Sequence, residues 1–173
     1  IEGEGTTTIS ITGVEKLKST THTVVPDRIE AATYLIAGAV TLGEVKVIDM
    51  VPDHILPVIE RLRAAGAVIT VGDTFVHLTM EGQRPRAVSF STAPYPAYPT
   101  DAQAQLLALN AMAQGHATVT ETVFENRFMH VDELMRMGAN IRVKGQVAEC
   151  EGVDHLKGAP LKATDLRASA CLV

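Results

Sequence analysis

The sequence predicts an α/β fold assembled from repeated βαβαββ units, each with one helix inside and one outside, and three observations carry that prediction. Residues 43–67 and 115–139 superimpose without a gap, sharing Gly43/Gly115, Leu62/Leu134, Gly66/Gly138 and Ala67/Ala139, with Ile69/Ile141 just beyond. Gly13-Val14-Glu15-Lys16-Leu17-Lys18 returns as Gly152-Val153-Asp154-His155-Leu156-Lys157. An Asp opens an apolar helical stretch three times, at Asp27, Asp101 and Asp165. Repeats of this length are single supersecondary units that bury their apolar faces against neighbouring copies. Positions that agree between copies are expected to be scaffold. Positions where the copies differ sharply are where function is sought.

Residues 6–12 alternate around Ile9 and Ile11 and are predicted to form the closing strand of an earlier copy, since they precede Gly13 as residues 146–151 precede Gly152. The first full unit opens with a helix over residues 27–42, with Asp27 and Glu30 placed as cap and third residue and Gly43 as its stop. A strand at 45–48 follows, then an outer helix over 53–65 with Ile55, Val58, Ile59 and Leu62 inward. Gly66 ends it, and strands at 67–71 and 75–80 form a hairpin around Gly72-Asp73. The second unit repeats this order. Its helix over 101–114 is apolar nearly all round, which predicts burial on most sides. A third helix is predicted from Asp165. This gives one incomplete domain over residues 1–173: a strand and link at 1–21, units at 22–82 and 83–152, and the start of a third at 153–173. The chain is therefore expected to be a fragment.

An apolar content of 46% with 20% charged residues excludes disorder. The longest apolar runs are far too short to cross a bilayer. Fifteen basic against twenty acidic residues give a net charge of −5, which argues against a nucleic-acid surface. Cys150 and Cys171 lack the spacing of a zinc site or a disulfide framework and read as reduced thiols of a cytoplasmic protein. The six histidines show no ligand spacing, so no metal and no cofactor are predicted.

Three segments are not asked for by the scaffold. In the first, residues 93–105, prolines and tyrosines crowd the approach to the second helix, where the first copy has only Thr23-Val24-Val25-Pro26. Thr100 and Gln103 are predicted to form a capping box. That would release Asp101 to point into a cleft as an anion stabilised by the helix dipole, able to accept a proton from a bound hydroxyl. The plain alternative is a solvated first-turn Asp. In the second, Arg127 falls where the first copy has Ile55, so packing does not require a guanidinium there. It is suited to bidentate capture of phosphate or carboxylate, the alternative being a surface ion pair with Glu121 or Glu125. Val123 and Phe124 offer a backbone amide and an apolar wall to a sugar or base, and His130, which matches Val58, reads as a packing residue. In the third, Thr164 is placed to cap, leaving Asp165 and Arg167 as a second acid–guanidinium pair. If the three helices run alike, their N-termini gather Asp101, Arg127, Asp165 and Arg167 at one end, a place suited to anions and to a proton acceptor.

At these segments the sequence resembles the UDP-N-acetylglucosamine enolpyruvyl transferase family. The matching stretches are Pro26-Asp27-Arg28-Ile29-Glu30, T-A-P-x-P-A-x-P-T-D-x-Q-A-Q over residues 92–105, T-E-T-V-F-E-N-R-F-M-H over 120–130 and A-T-D-L-R-A-S over 163–169. The resemblance runs the length of the chain. It implies an inside-out α/β barrel and a two-domain bacterial cytoplasmic enzyme that binds its substrates between the domains. The implied reaction moves enolpyruvyl from phosphoenolpyruvate to the sugar 3′-hydroxyl by addition and elimination, opening peptidoglycan synthesis. Carried over, Asp101 is the general base and, with Arg127, a catalytic group. Val123 contacts the UDP-sugar, with Phe124 beside it, while Arg127, Asp165 and Arg167 line the phosphoenolpyruvate side. The family's loop cysteine, its early Lys-Asn pair, much of its uridine site and a phosphate-gripping arginine have no match here. The implied partners are the two substrates and the enzyme's other domain. A sister enolpyruvyl transferase with another acceptor and a non-catalytic repeat module are the competing expectations.

Overall fold

The computed structural model describes residues 1–163 and 165–173. The first unit contains α1 (Arg28–Val40), β1 (Glu44–Ile48), α2 (Leu56–Ala64), β2 (Val68–Val71) and β3 (Phe75–Thr79). Its strands form an antiparallel sheet in the order β1-β3-β2. The second contains β4 (Phe90–Ser91), α3 (Gln103–Met112), β5 (His116–Thr120), α4 (Met129–Arg136), β6 (Asn140–Lys144) and β7 (Val147–Glu151). Its order is β4-β5-β7-β6, with β4 parallel to β5 and the other pairings antiparallel. Strands β1, β3 and β2 thus correspond to β5, β7 and β6. The mixed α/β repeat predicted from sequence is the observed architecture.

Alternation of buried and exposed residues along β3 and β5 turns one face of each sheet towards the helices. Between the sheets lie α1 and α3. Small residues let them approach: Ala32 and Ala39 of α1 are fully enclosed, as is Ala111 of α3. Gly38 lets α1 settle on β1, because a Cβ there would stand 2.5 Å from a Val45 methyl. Helix α3 is buried on nearly every side, including the amide side chains of Gln103 and Gln105. Helices α2 and α4 bury one face only, α2 through Val58, Ile59 and Leu62.

The cap predicted at Asp27 is present. Asp27 Oδ1 accepts the Ile29 and Glu30 amides at 2.8 and 3.3 Å, which satisfies two orphan donors at the helix start. The helix end differs in detail. Leu42, not Gly43, takes the left-handed conformation (φ 57°), while the Gly43 amide returns to the Gly38 carbonyl at 2.9 Å. Gly43 therefore occupies the second position of a Schellman motif, past the turn itself.

Three expectations are corrected. Residues 6–12 form no strand: Ser10 makes a single bridge to Glu2, and Ile9 and Ile11 are exposed. Alternation alone cannot hold a strand without a neighbour to receive its backbone hydrogen bonds. The repeated Gly-Val motif separates accordingly. At Gly152 a Cβ would collide with the Ala113 carbonyl, whereas at Gly13 nothing stands within 4 Å. Finally, the predicted third α-helix is a short 3₁₀ turn, Ala168–Leu172, lying against α3 and α4. So few residues are too short a run to sustain an α-helix alone. Among the described residues no helix is long and apolar enough to cross a membrane.

Candidate active site

Asp101 lies in a one-turn 3₁₀ segment, Thr100–Ala102, that leads into α3. The predicted capping box is absent. The Thr100 hydroxyl donates instead to Glu121 Oε2 at 2.8 Å, and the Gln103 amide is buried without a partner among the described residues. Asp101 is nonetheless free of capping. Its Oδ1 accepts from Arg127 at 3.0 Å, and its side chain keeps about a third of its surface exposed (36%).

Arg127 sits just before α4, as Ile55 sits just before α2, and it is mostly enclosed. The scaffold gives Ile55 a buried apolar place; Arg127 uses the same place to hold a charge. Its partners are neither Glu121 nor Glu125. Nη2 lies 3.0 Å from Asp101 and 3.9 Å from Asp165, and the guanidinium stacks 4.8 Å from the centre of the Phe124 ring. Cation–π contact and two flanking carboxylates fix the fork in one orientation.

Asp165 caps the last 3₁₀ turn, accepting the Arg167 and Ala168 amides at 2.8 and 3.0 Å. The Ala168 amide first, then the Arg167 amide and the Arg127 guanidinium, hold its carboxyl below the usual value against the pull of burial. The cap expected of Thr164 lies outside the described residues. Arg167 does not pair with the Asp165 side chain as predicted. Its Nη1 lies 3.7 Å from Asp27 Oδ2, because the Asp165 oxygen is already turned to the backbone. Burial raises the Asp27 carboxyl, but the Ile29 and Glu30 amides and the Arg167 guanidinium outweigh it and hold it low.

Asp101, Arg127 and Asp165 are therefore contiguous, and Asp101 lines an open cleft of about 630 Å³ together with Arg167, Asp27, Arg28, His54 and Tyr95. That is the size of a small-ligand site. Arg28 stands 5.2 Å from the centre of the Tyr95 ring and covers it. Val123 and Phe124 are part-exposed beside Arg127, but their amides are not free. Both donate to Glu121 Oε1, at 2.9 and 3.2 Å. The expectation that this segment offers a backbone amide to a ligand is corrected on that ground.

Glu121 was missed as an organiser of the site. An acid between two threonines at a strand end reads from sequence as solvated, yet it is fully buried. His130 is also enclosed beneath the cluster, and neither ring nitrogen finds a partner among the described residues. Burial lowers its pKa to about 4, against the opposing pull of Asp165. Unfolded, the ring protonates near pH 6.5. Between these values the unfolded chain binds more protons, so stability is full above pH 6.5 and is lost as pH falls towards 4. The loss is on the order of 3 kcal/mol. His130→Leu should flatten the fall in melting temperature over that range. A slope equal to that of the wild type would rule out His130 as its source.

Neither cysteine lines the cleft. Burial pushes both thiols up to about 12, Cys150 within β7 and Cys171 in the last 3₁₀ turn, leaving neither available as a thiolate.

The chain belongs to the EPSP synthase (3-phosphoshikimate 1-carboxyvinyltransferase) family, which it matches over residues 1–173. Among solved structures it is similar to the enolpyruvyl transferase NikO from Streptomyces tendae, with a TM-score of 0.76, 29% identity and 86% of this chain covered. It also superimposes on EPSP synthase from Acinetobacter baumannii, with a TM-score of 0.60 and 18% identity over 86% of the chain, a likeness of fold. The chain spans 36% of the length of each.

Proposed function

We propose that the enzyme containing this chain transfers enolpyruvyl from phosphoenolpyruvate to the 3′-hydroxyl of UDP-N-acetylglucosamine, the opening step of peptidoglycan synthesis in the bacterial cytoplasm. The observation that carries the chemistry is the Asp101–Arg127–Asp165 cluster, whose Asp101 lines the cleft. The acceptor is supported by the strings at 92–105 and 120–130, which resemble the UDP-sugar enzymes and not their shikimate-phosphate sisters.

The resemblance and the pairing of Asp101 with Arg127 support the following roles. The acceptor hydroxyl gives its proton to Asp101 while its oxygen bonds to C2 of phosphoenolpyruvate, and C3 takes up a proton from an acid outside this chain. Loss of a proton from C3 and of inorganic phosphate from C2 then restores the double bond. Arg127, paired with Asp101, balances the carboxylate and phosphate charges that bear on C2, and Arg167 adds a second guanidinium from the cleft lining. Asp165 holds Arg127 in place. This chain supplies one wall; a second domain of the same enzyme supplies the other.

A second reading has its own support. The family description, 3-phosphoshikimate 1-carboxyvinyltransferase, leaves open an acceptor other than the UDP-sugar. The test is phosphate release by the full-length enzyme with phosphoenolpyruvate and each acceptor in turn. Release that requires UDP-N-acetylglucosamine supports the proposal. Release with shikimate 3-phosphate alone selects the sister reaction, and no release with either points to a non-catalytic module.

A further inference from the structure

We infer that Glu121 is a positioning residue whose buried carboxylate ties the Val123-Phe124 segment to the turn bearing Asp101 and sets what that segment can offer a ligand. The side chain is fully enclosed and, among the described residues, has no cation beside it. Four donors from three stretches of chain take the place of one. Oε1 accepts the Thr92 hydroxyl at 2.8 Å and the Val123 and Phe124 amides at 2.9 and 3.2 Å. Oε2 accepts the Thr100 hydroxyl at 2.8 Å. Thr92 extends the network, since its hydroxyl also accepts the Thr122 amide at 3.0 Å while its carbonyl accepts the Thr122 hydroxyl at 2.6 Å. A carboxylate buried without a cation is costly unless its oxygens are filled. Here they are filled by the exit of β4, the entry to α3 and the loop after β5.

Two consequences reach the cleft. Thr100 is fixed, and with it the backbone of the next residue, Asp101, whose Oδ1 meets Arg127. The amides of Val123 and Phe124 are consumed, so the segment cannot cradle an anion as a free pair of N–H groups would. What remains to it is carbonyl oxygens and two part-exposed apolar side chains. That suits the neutral, hydroxyl-bearing part of an acceptor, and leaves anionic groups to Arg127 and Arg167.

The kinetic part of this inference rests on the proposed transfer reaction; the anchoring part does not. The experiment compares full-length wild type with Glu121→Gln, Glu121→Ala and, as a control elsewhere, the buried Glu133→Gln. Amide exchange is read by mass spectrometry alongside steady-state kinetics. Loss of hydrogen bonds to a charged acceptor should speed exchange of peptides containing Val123 and Phe124 by about tenfold or more in Glu121→Ala, with a smaller rise in Glu121→Gln. KM for the acceptor should rise about tenfold while KM for phosphoenolpyruvate stays within about twofold. Glu133→Gln should change neither. Unchanged exchange in both Glu121 variants overturns the inference, as does a rise spread evenly over the chain or shared equally by both KM values. If Glu121→Ala does not fold, Glu121→Gln decides. An inactive wild type would refute the proposed reaction, while exchange would still decide the anchoring.

Discussion

Arg127→Ala is expected to lower kcat/KM by about 10²–10³-fold. The guanidinium is the one cation between Asp101 and Asp165 among the described residues, and it is mostly enclosed. There its field is less screened than at an open surface, so its removal should cost more than an exposed ion pair would. It should also leave the Asp101 carboxylate unpaired at the cleft, where an anionic substrate must bind. Arg127→Lys keeps the charge but not the fork, nor the same stacking over Phe124. Partial recovery in the lysine variant would show that both charge and geometry matter. Activity within about threefold of wild type in Arg127→Ala would mean that the guanidinium does not reach the reacting groups.

The second large effect separates two aspartates that begin equivalent helices. Asp101→Ala should lower kcat by about 10²–10⁴-fold, the range for loss of a general base. It should leave stability nearly intact, because this carboxylate caps no amide. Asp27→Ala should do the reverse. It removes the acceptor for the Ile29 and Glu30 amides and costs about 1 kcal/mol of stability, with a far smaller loss of kcat than Asp101→Ala. Equal losses of kcat in the two variants would reduce Asp101 to a helix-starting residue.

Some of this was legible in the sequence for physical reasons, and the remainder was hidden for equally physical ones. The repeat, the βαβαββ succession of elements along each unit and the cap at Asp27 rest on local patterns or on comparison of one copy with the other. Arg127 stood out by that comparison, because its counterpart Ile55 is a fully buried apolar residue. Thr100 was misread because its hydroxyl is claimed by Glu121, a partner distant in sequence that no capping rule can see. Glu121 itself was invisible, since its burial follows from how three segments meet. The strand foreseen at residues 6–12 had the right alternation but finds no neighbour in the ladder. Arg167 was assigned to Asp165 by proximity in sequence. Once Asp165 turns to cap its own 3₁₀ turn, Asp27 from α1 becomes the nearer acid.

A crystal structure of the full-length enzyme with phosphoenolpyruvate and UDP-N-acetylglucosamine tests the central claim most directly. The account predicts the sugar 3′-hydroxyl within about 3 Å of the Asp101 carboxylate, and the Arg127 fork at similar range from phosphoenolpyruvate. Ligands seated elsewhere, with neither side chain within hydrogen-bonding reach, would contradict it.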